Sequence, residues 1–277
     1  MLVGGFATGV FGSLLGLGGG VLIVPFLTLG FGLPVLEAVG VSLVCVIVTS
    51  GASAGVYLQR HVANLRLGMV LELFTATGAV VGGAVAFLLD ERLLAGLFAA
   101  LLVYVAVSML RRATAPTPAA TSAVSDVGPG ADVAEPGVIA GSFVDRLSGS
   151  DYRIHSLPVG AAGSVFAGVV SALLGIGGGI VKVPVMHLVM GVPLRVATAT
   201  SNLMIGITAS TSAIVYLLRG GIDPFVVGPT AVGVFLGATL GSRTAHKVDL
   251  GLLRWLFVAV LLYTAFEMAQ RAVGTPG

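Results

Sequence analysis

Two stretches of this chain offer backbone chemistry. Gly-Ser-Leu-Leu-Gly-Leu-Gly-Gly-Gly occupies 12–20, and Ser-Ala-Leu-Leu-Gly-Ile-Gly-Gly-Gly occupies 171–179. Each lies inside a long apolar run, and each is followed by a proline, Pro25 or Pro184. Backbone inside a bilayer must be hydrogen-bonded or face a water-lined cavity. A helix broken at such a run frees N–H groups at the start of the half-helix that follows, and these groups, with the helix dipole, favour an anion. Glycine admits unusual φ and lets a ligand come close to the backbone. The candidate anion-binding residues are therefore Gly18, Gly19, Gly20, Gly177, Gly178 and Gly179. The competing reading is close helix packing through small residues. Two runs in one register, each trailed by a proline, favour the anion site. A soluble phosphate loop is a poor alternative because no Lys-Ser or Lys-Thr follows the glycines.

Side chains near these breaks extend the candidate list. Ser42, Thr49 and Ser53 lie in one apolar segment, and Thr198, Thr200, Ser201, Asn202, Thr208, Ser210, Thr211 and Ser212 lie in another. Thr198, Ser201 and Asn202 share a helix face at i, i+3 and i+4. Neutral polar groups suit an oxyanion that must bind and leave, although any one of them could equally hydrogen-bond between helices. Ser42, Ser201 and Asn202 lie nearest the glycine breaks and are retained as substrate-binding candidates. Ionisable groups within apolar spans are expensive and default to function. Lys182 stands three residues past Gly179 and could balance an anion's charge; the alternative is snorkelling to the interface. His187 could carry a proton but reads first as a core residue. Arg195 reads as interfacial. Glu72 and Glu267 fall about a turn from helix ends and are expected to be solvated.

The elements that must position these groups are membrane spans. Of 277 residues, 56% are hydrophobic and 9% charged, where a soluble domain carries about 25% charged residues. Mean hydropathy is +1.07. Segments 35–58, 67–89, 93–110, 194–218, 224–242 and 252–270 each match the roughly 17–25 residues that cross a bilayer. The opening segment has no basic region or cleavage site and is read as mature structure. The single Cys45 says nothing of redox compartment. A net charge of +2 without a basic cluster argues against nucleic acid. No cofactor or metal-ligand set is expected.

The chain is a duplication without gaps. Residues 9–60 and 168–219 share 22 identities in 52 positions at a constant offset of 159, among them Ser42/Ser201, Thr49/Thr208 and Tyr57/Tyr216. Shared apolar composition does not explain matched Gly, Pro, Ser and Tyr in one register. Residues 1–112 form a first transmembrane repeat, 113–155 a flexible cytoplasmic linker rich in Ala, Pro, Ser, Thr and Gly, and 156–277 a second repeat. A continuous helix over 2–31 would run about 45 Å, too long for a core of roughly 30 Å. Two half-helices of about 14 residues would instead enter and return. Each repeat then has a broken hairpin plus three crossings, and an odd number inverts the second copy. Basic residues divide nine to three across the membrane in the inverted arrangement and eight to four in the parallel one. The positive-inside rule favours inversion with the linker inside and both termini outside. The expected fold class is an all-α polytopic membrane protein of two inverted repeats.

The Gly-Leu-Gly-Gly-Gly and Gly-Ile-Gly-Gly-Gly elements, each followed by Val-Pro (Val24-Pro25, Val183-Pro184), then Gly-x-Pro (Gly32-Leu33-Pro34, Gly191-Val192-Pro193) and a Ser/Thr-rich helix, resemble the TauE/SafE family of sulfite and organosulfonate exporters. The resemblance covers both repeats. It implies transport of small sulfur-containing anions such as sulfite or sulfoacetate across the cytoplasmic membrane. The N-terminal arm before Gly16 is shorter, and the linker longer, than the family pattern leads one to expect.

Duplicated halves with interrupted helices are the mark of a secondary transporter with its site at the bilayer midplane. The chain shows no ATP-binding loop, so coupling would be to membrane potential or protons. An anion channel, or a permease for an unrelated small anion, are the alternatives within transport. An intramembrane enzyme is disfavoured: the spans contain no Asp, no Ser-His pair and no His-Glu-x-x-His.

Overall fold

The computed structural model describes residues 1–14, 20–59, 63–114, 154–244 and 250–273; linker residues 115–153 and the motif residues Gly16, Gly18 and Gly19 lie outside the described residues. Every regular element among the described residues is helical. The first half comprises α1 (Leu2–Leu14), α2 (Gly20–Phe31), α3 (Val35–Gln59), α4 (Leu65–Ala86) and α5 (Glu91–Thr114). The second comprises α6 (Leu157–Leu174), α7 (Gly179–Pro184) with a π-helical turn over Val185–Val189, α8 (Leu194–Leu218), α9 (Pro224–Thr244) and α10 (Leu250–Val273). Among the described residues, six helices are long and apolar enough to cross a membrane.

The distribution of side chains is the reverse of a soluble protein's. Met69, Leu73, Val81, Phe166, Leu217, Leu218, Phe225 and Phe266 are exposed, whereas Ser42, Glu72, Thr75, Ser164, Ser171, Lys182, Thr200, Ser201 and Thr208 are buried. Lipid satisfies the outer apolar groups, and the polar groups must find partners inside.

Helix contacts repeat at the same offset as the sequence. A Cβ on Gly237 of α9 would strike the carbonyl of Phe6 in α1, and one on Gly78 of α4 would strike that of Val165 in α6. Gly9 meets Val234 as Gly168 meets Thr75. These glycines let the helices approach to backbone contact. The contacts advance together, Gly5 facing Thr230 and Gly9 facing Val234, so α1 and α9 run in the same direction, as do α6 and α4. α3 and α8 run in opposite directions. Gly40 abuts Gly221 just past the end of α8, Ser50 reaches Asn202, and Asn64 beyond the end of α3 reaches Thr200.

Each opening segment turns back on itself. Gly4 of α1 packs on Phe26 of α2, and its counterpart Gly163 of α6 packs on Val185. The second return is complete by Met190, whose carbonyl accepts from His155 N–H at 3.1 Å. The second hairpin is described throughout: α6 has 18 residues, and its return arm over Gly179–Val189 is short, as is α2 with 12 residues. Pro184 lacks an amide hydrogen, and the chain widens after it: Met190 N–H bonds to Val185 O five residues back, at 3.2 Å.

Candidate functional site

The two broken segments meet inside the protein. Gly20 is the first residue of α2, and a Cβ there would lie 2.9 Å from Gly175 O. Ser42 of α3 sits between them, fully buried, its hydroxyl 2.8 Å from Gly175 O and 3.2 Å from Gly20 O. One hydroxyl thus stands within hydrogen-bond reach of a buried carbonyl from each hairpin. This covers the described part of the first break.

The second break is described throughout. α6 ends at Gly175 with φ +67°, and Gly177 and Gly178 follow with φ +74° and +75° before α7 begins at Gly179. Side chains rarely adopt that conformation, and a Cβ on Gly178 would also lie 2.9 Å from Ala167 O. Helical bonding resumes only with Val181 and Lys182, whose N–H groups donate to Gly178 O at 3.2 and 3.1 Å. The amides of Gly179 and Ile180 precede that first bond, as at any helix start.

Two hydroxyls border this turn. Ser171 of α6 and Ser201 of α8 are buried, and neither Oγ has a hydrogen-bond partner. Gly178 would place a Cβ 3.3 Å from Ser171 Cβ, and Gly179 one 3.5 Å from Ser201 Oγ. A buried hydroxyl left unbonded costs about 1–3 kcal/mol. Two such groups on one glycine turn form a polar seat in an apolar surround. Ser201 is a sequence candidate; Ser171 was missed because its repeat counterpart is Gly12, so the duplication gives no hint of it.

The other candidates divide. The backbone carbonyl of Asn202 accepts from Ser50 Oγ at 2.7 Å, joining α8 to α3. Thr198 bonds back to Leu194 O, and Thr200 accepts from Asn64 N–H. His187 is exposed rather than in the core, its Nδ1 2.9 Å from Val192 O. The side chains of Ser53 and Arg195 lie outside the described residues.

Lys182 does not snorkel. It is 2% exposed, and its ammonium lies 3.0 Å from Glu72 Oε2 and 2.6 Å from Thr208 Oγ1. Thr208 in turn donates to Glu72 Oε1 at 2.6 Å. The expectation that Glu72 is solvated is therefore corrected. It lies in the second turn of α4, on the face turned to the protein interior, and burial is tolerable there because a cation and a hydroxyl satisfy it. The pair joins α4 of the first repeat to the hairpin of the second. Its signal was present in the sequence: Glu72 and Lys182 replace Ala231 and Ile23 of the opposite repeat.

A helical bundle with an apolar exterior, and with a glycine-broken hairpin that meets its counterpart in a polar interior, is the build of a membrane transporter. The family described as "Sulfite exporter TauE/SafE" matches residues 1–268. The chain belongs to this family. It is 25% identical to the "Probable membrane transporter protein YunE" of Bacillus subtilis, over 99% of this chain and 97% of that one. It is 26% identical to the "Probable membrane transporter protein MJ0441" of Methanocaldococcus jannaschii, over 94% and 91%. A segment covering 31% of the chain is 35% identical to 20% of the "Sulfite exporter TauE/SafE family protein 6" of Arabidopsis thaliana. No solved structure matches.

Proposed function

We propose that the protein is a secondary transporter that exports a small sulfur-containing anion, sulfite or an organosulfonate, across the cytoplasmic membrane. The anion binds at the tips of the two glycine-broken hairpins. The observation that carries this reading is the pair of buried, unpartnered hydroxyls, Ser171 and Ser201, on the turn Gly177–Gly179. Each has a proton to donate to an oxyanion, and hydrogen bonds to a charged group are worth about 1.5–3 kcal/mol. The amides that precede the first α7 bond add donors of the same kind. Gly18, Gly19 and Gly20 contribute the equivalent donors from the first hairpin. The family description, sulfite exporter, supports a sulfur oxyanion as the substrate.

The two repeats are inverted, with the linker over 113–155 inside and both termini outside. Support comes from α3 and α8, equivalent at the offset of 159, which pass each other in opposite directions. Inverted equivalents rocking about the joined tips expose the seat to each side in turn. An interior-negative potential drives an anion outward by about 2.3 kcal/mol per charge per 100 mV.

The test is binding and flux. Purified protein is screened by thermal shift against sulfite, sulfate, thiosulfate, sulfoacetate, taurine and simple carboxylates. The anion that stabilises it is then followed in proteoliposomes. Saturable flux with counter-transport is expected; flux that never saturates would mean a channel, and no response to any sulfur anion would refute the substrate class.

A further inference from the structure

The buried triad of Glu72, Lys182 and Thr208 has no charged counterpart at the equivalent positions of the duplication. At the equivalent positions stand Ile23 and Thr49 of the first repeat and Ala231 of the second. A buried ion pair is often no more stabilising than apolar residues of similar volume, and this chain folds with the apolar version on one side. Stability alone therefore gives no reason for the charged version on the other. The charges also stand beside the hairpin that has the unpartnered hydroxyls. Lys182 N–H bonds to Gly178 O, which puts the lysine one turn, about 6 Å, along the helix from the glycine turn. The unpartnered hydroxyl of Ser171, whose repeat counterpart is Gly12, and the ion pair both adjoin this hairpin.

We propose that Glu72 is the proton-carrying group of the transport cycle. In the empty protein its carboxylate occupies Lys182. An anion entering the adjacent seat competes for the ammonium, and Glu72, losing its counter-ion in a region without water, takes up a proton from the side then open. When the anion leaves, the proton leaves and the pair reforms. One proton moves with each anion, so a dianion carries one net negative charge per cycle and a monoanion none. Other ionisable groups are poorly placed for the task. α6 has none. On α8, Arg195 stands at the start and Tyr216 is engaged with Ala172 O. On α4, Arg66 is exposed, as are His155 and His187 at the hairpin base. Cys45 of α3 is buried away from Glu72, in a different apolar cluster from the Leu71 and Met186 that flank the pair.

This inference rests on the anion site proposed above, and its test separates the two. Binding of sulfite and sulfoacetate to the detergent-solubilised protein is measured by calorimetry in two buffers of different ionisation heat. The wild type should take up about one proton per anion bound, and Glu72→Gln none. Any protonation of the probe itself is common to both and cancels in the difference. Glu72→Gln should also bind the anion several-fold more tightly at neutral pH, because its competitor is gone. Binding without proton uptake in the wild type, or equal uptake in Glu72→Gln, would overturn the role of Glu72 and leave the anion site standing. Failure of both probes to bind would overturn the site and this inference with it. If Glu72→Gln does not survive purification, the double variant Glu72→Gln, Lys182→Met leaves no unpaired charge; proton uptake persisting in it would equally overturn the assignment.

Discussion

Ser42 of the first repeat donates its hydroxyl to the carbonyl oxygen of Gly175 in the second, 2.8 Å away, and Ser42 Oγ also stands 3.2 Å from Gly20 O. The two hairpin tips are joined through one side chain. Ser42→Ala leaves buried carbonyls without that donor and should cost about 1–3 kcal/mol. A lowered melting temperature in detergent, restored by Ser42→Thr if the extra methyl fits beside Val46, is the expected result.

Gly178 and Gly32 both have positive φ, +75° and +68°, but in different surroundings. A Cβ on Gly32 meets nothing within 4 Å, whereas one on Gly178 meets Ala167 O at 2.9 Å. Gly32→Ala should cost only the backbone strain, about 1–3 kcal/mol. Gly178→Ala should cost clearly more and reduce the yield of folded protein. Thermal unfolding of the two variants side by side checks this, and equal losses would contradict it. For the same reason a bulky residue at 178 reports on the hairpin's fold before it reports on the anion.

The Glu72–Lys182 pair makes a stability prediction separate from its role in transport. Either Glu72→Gln or Lys182→Met leaves one buried charge alone and should destabilise the anion-free protein by about 3–5 kcal/mol. The double variant should recover most of that loss, since Ile23 and Ala231 occupy the equivalent places in the other repeat. A double variant as unstable as the sum of the singles would show that the two residues are not coupled.

Topology has its own test. In a Cys45→Ala background, single cysteines placed in 113–155 should resist a membrane-impermeant thiol reagent in intact cells and react in inverted vesicles. Labelling of the linker from outside would contradict the orientation.

Much of this architecture is legible in the sequence, for physical reasons. Apolar length fixes a span, and the expected 194–218 segment coincides with Leu194–Leu218 because prolines and glycines bound it on both sides. The constant offset of 159 foretells that Gly78 and Gly237 do the same packing job. The π-helical turn of the second hairpin is not legible, because Pro25 and Pro184 look alike in sequence while only the second opens such a turn. Neither is the contact between Glu72 and Lys182, separated by 110 residues. Local spacing places Glu72 near a helix end; only the packing of α4 on α6 and α8 shows that its side faces inward. Ser171 is hidden for a related reason, since glycine stands at its repeat counterpart and the empty hydroxyl is a property of the folded turn.

The central claim is that the hydroxyls of Ser171 and Ser201 are held for an anion. The most direct measurement is the affinity of Ser171→Ala, Ser201→Ala for sulfite and sulfoacetate, taken together with its melting temperature. Removing two unsatisfied buried hydroxyls should leave the anion-free protein as stable as the wild type or more so. Removing two donors to a charged ligand should weaken binding by roughly tenfold or more. Wild-type affinity in this double variant would contradict the account.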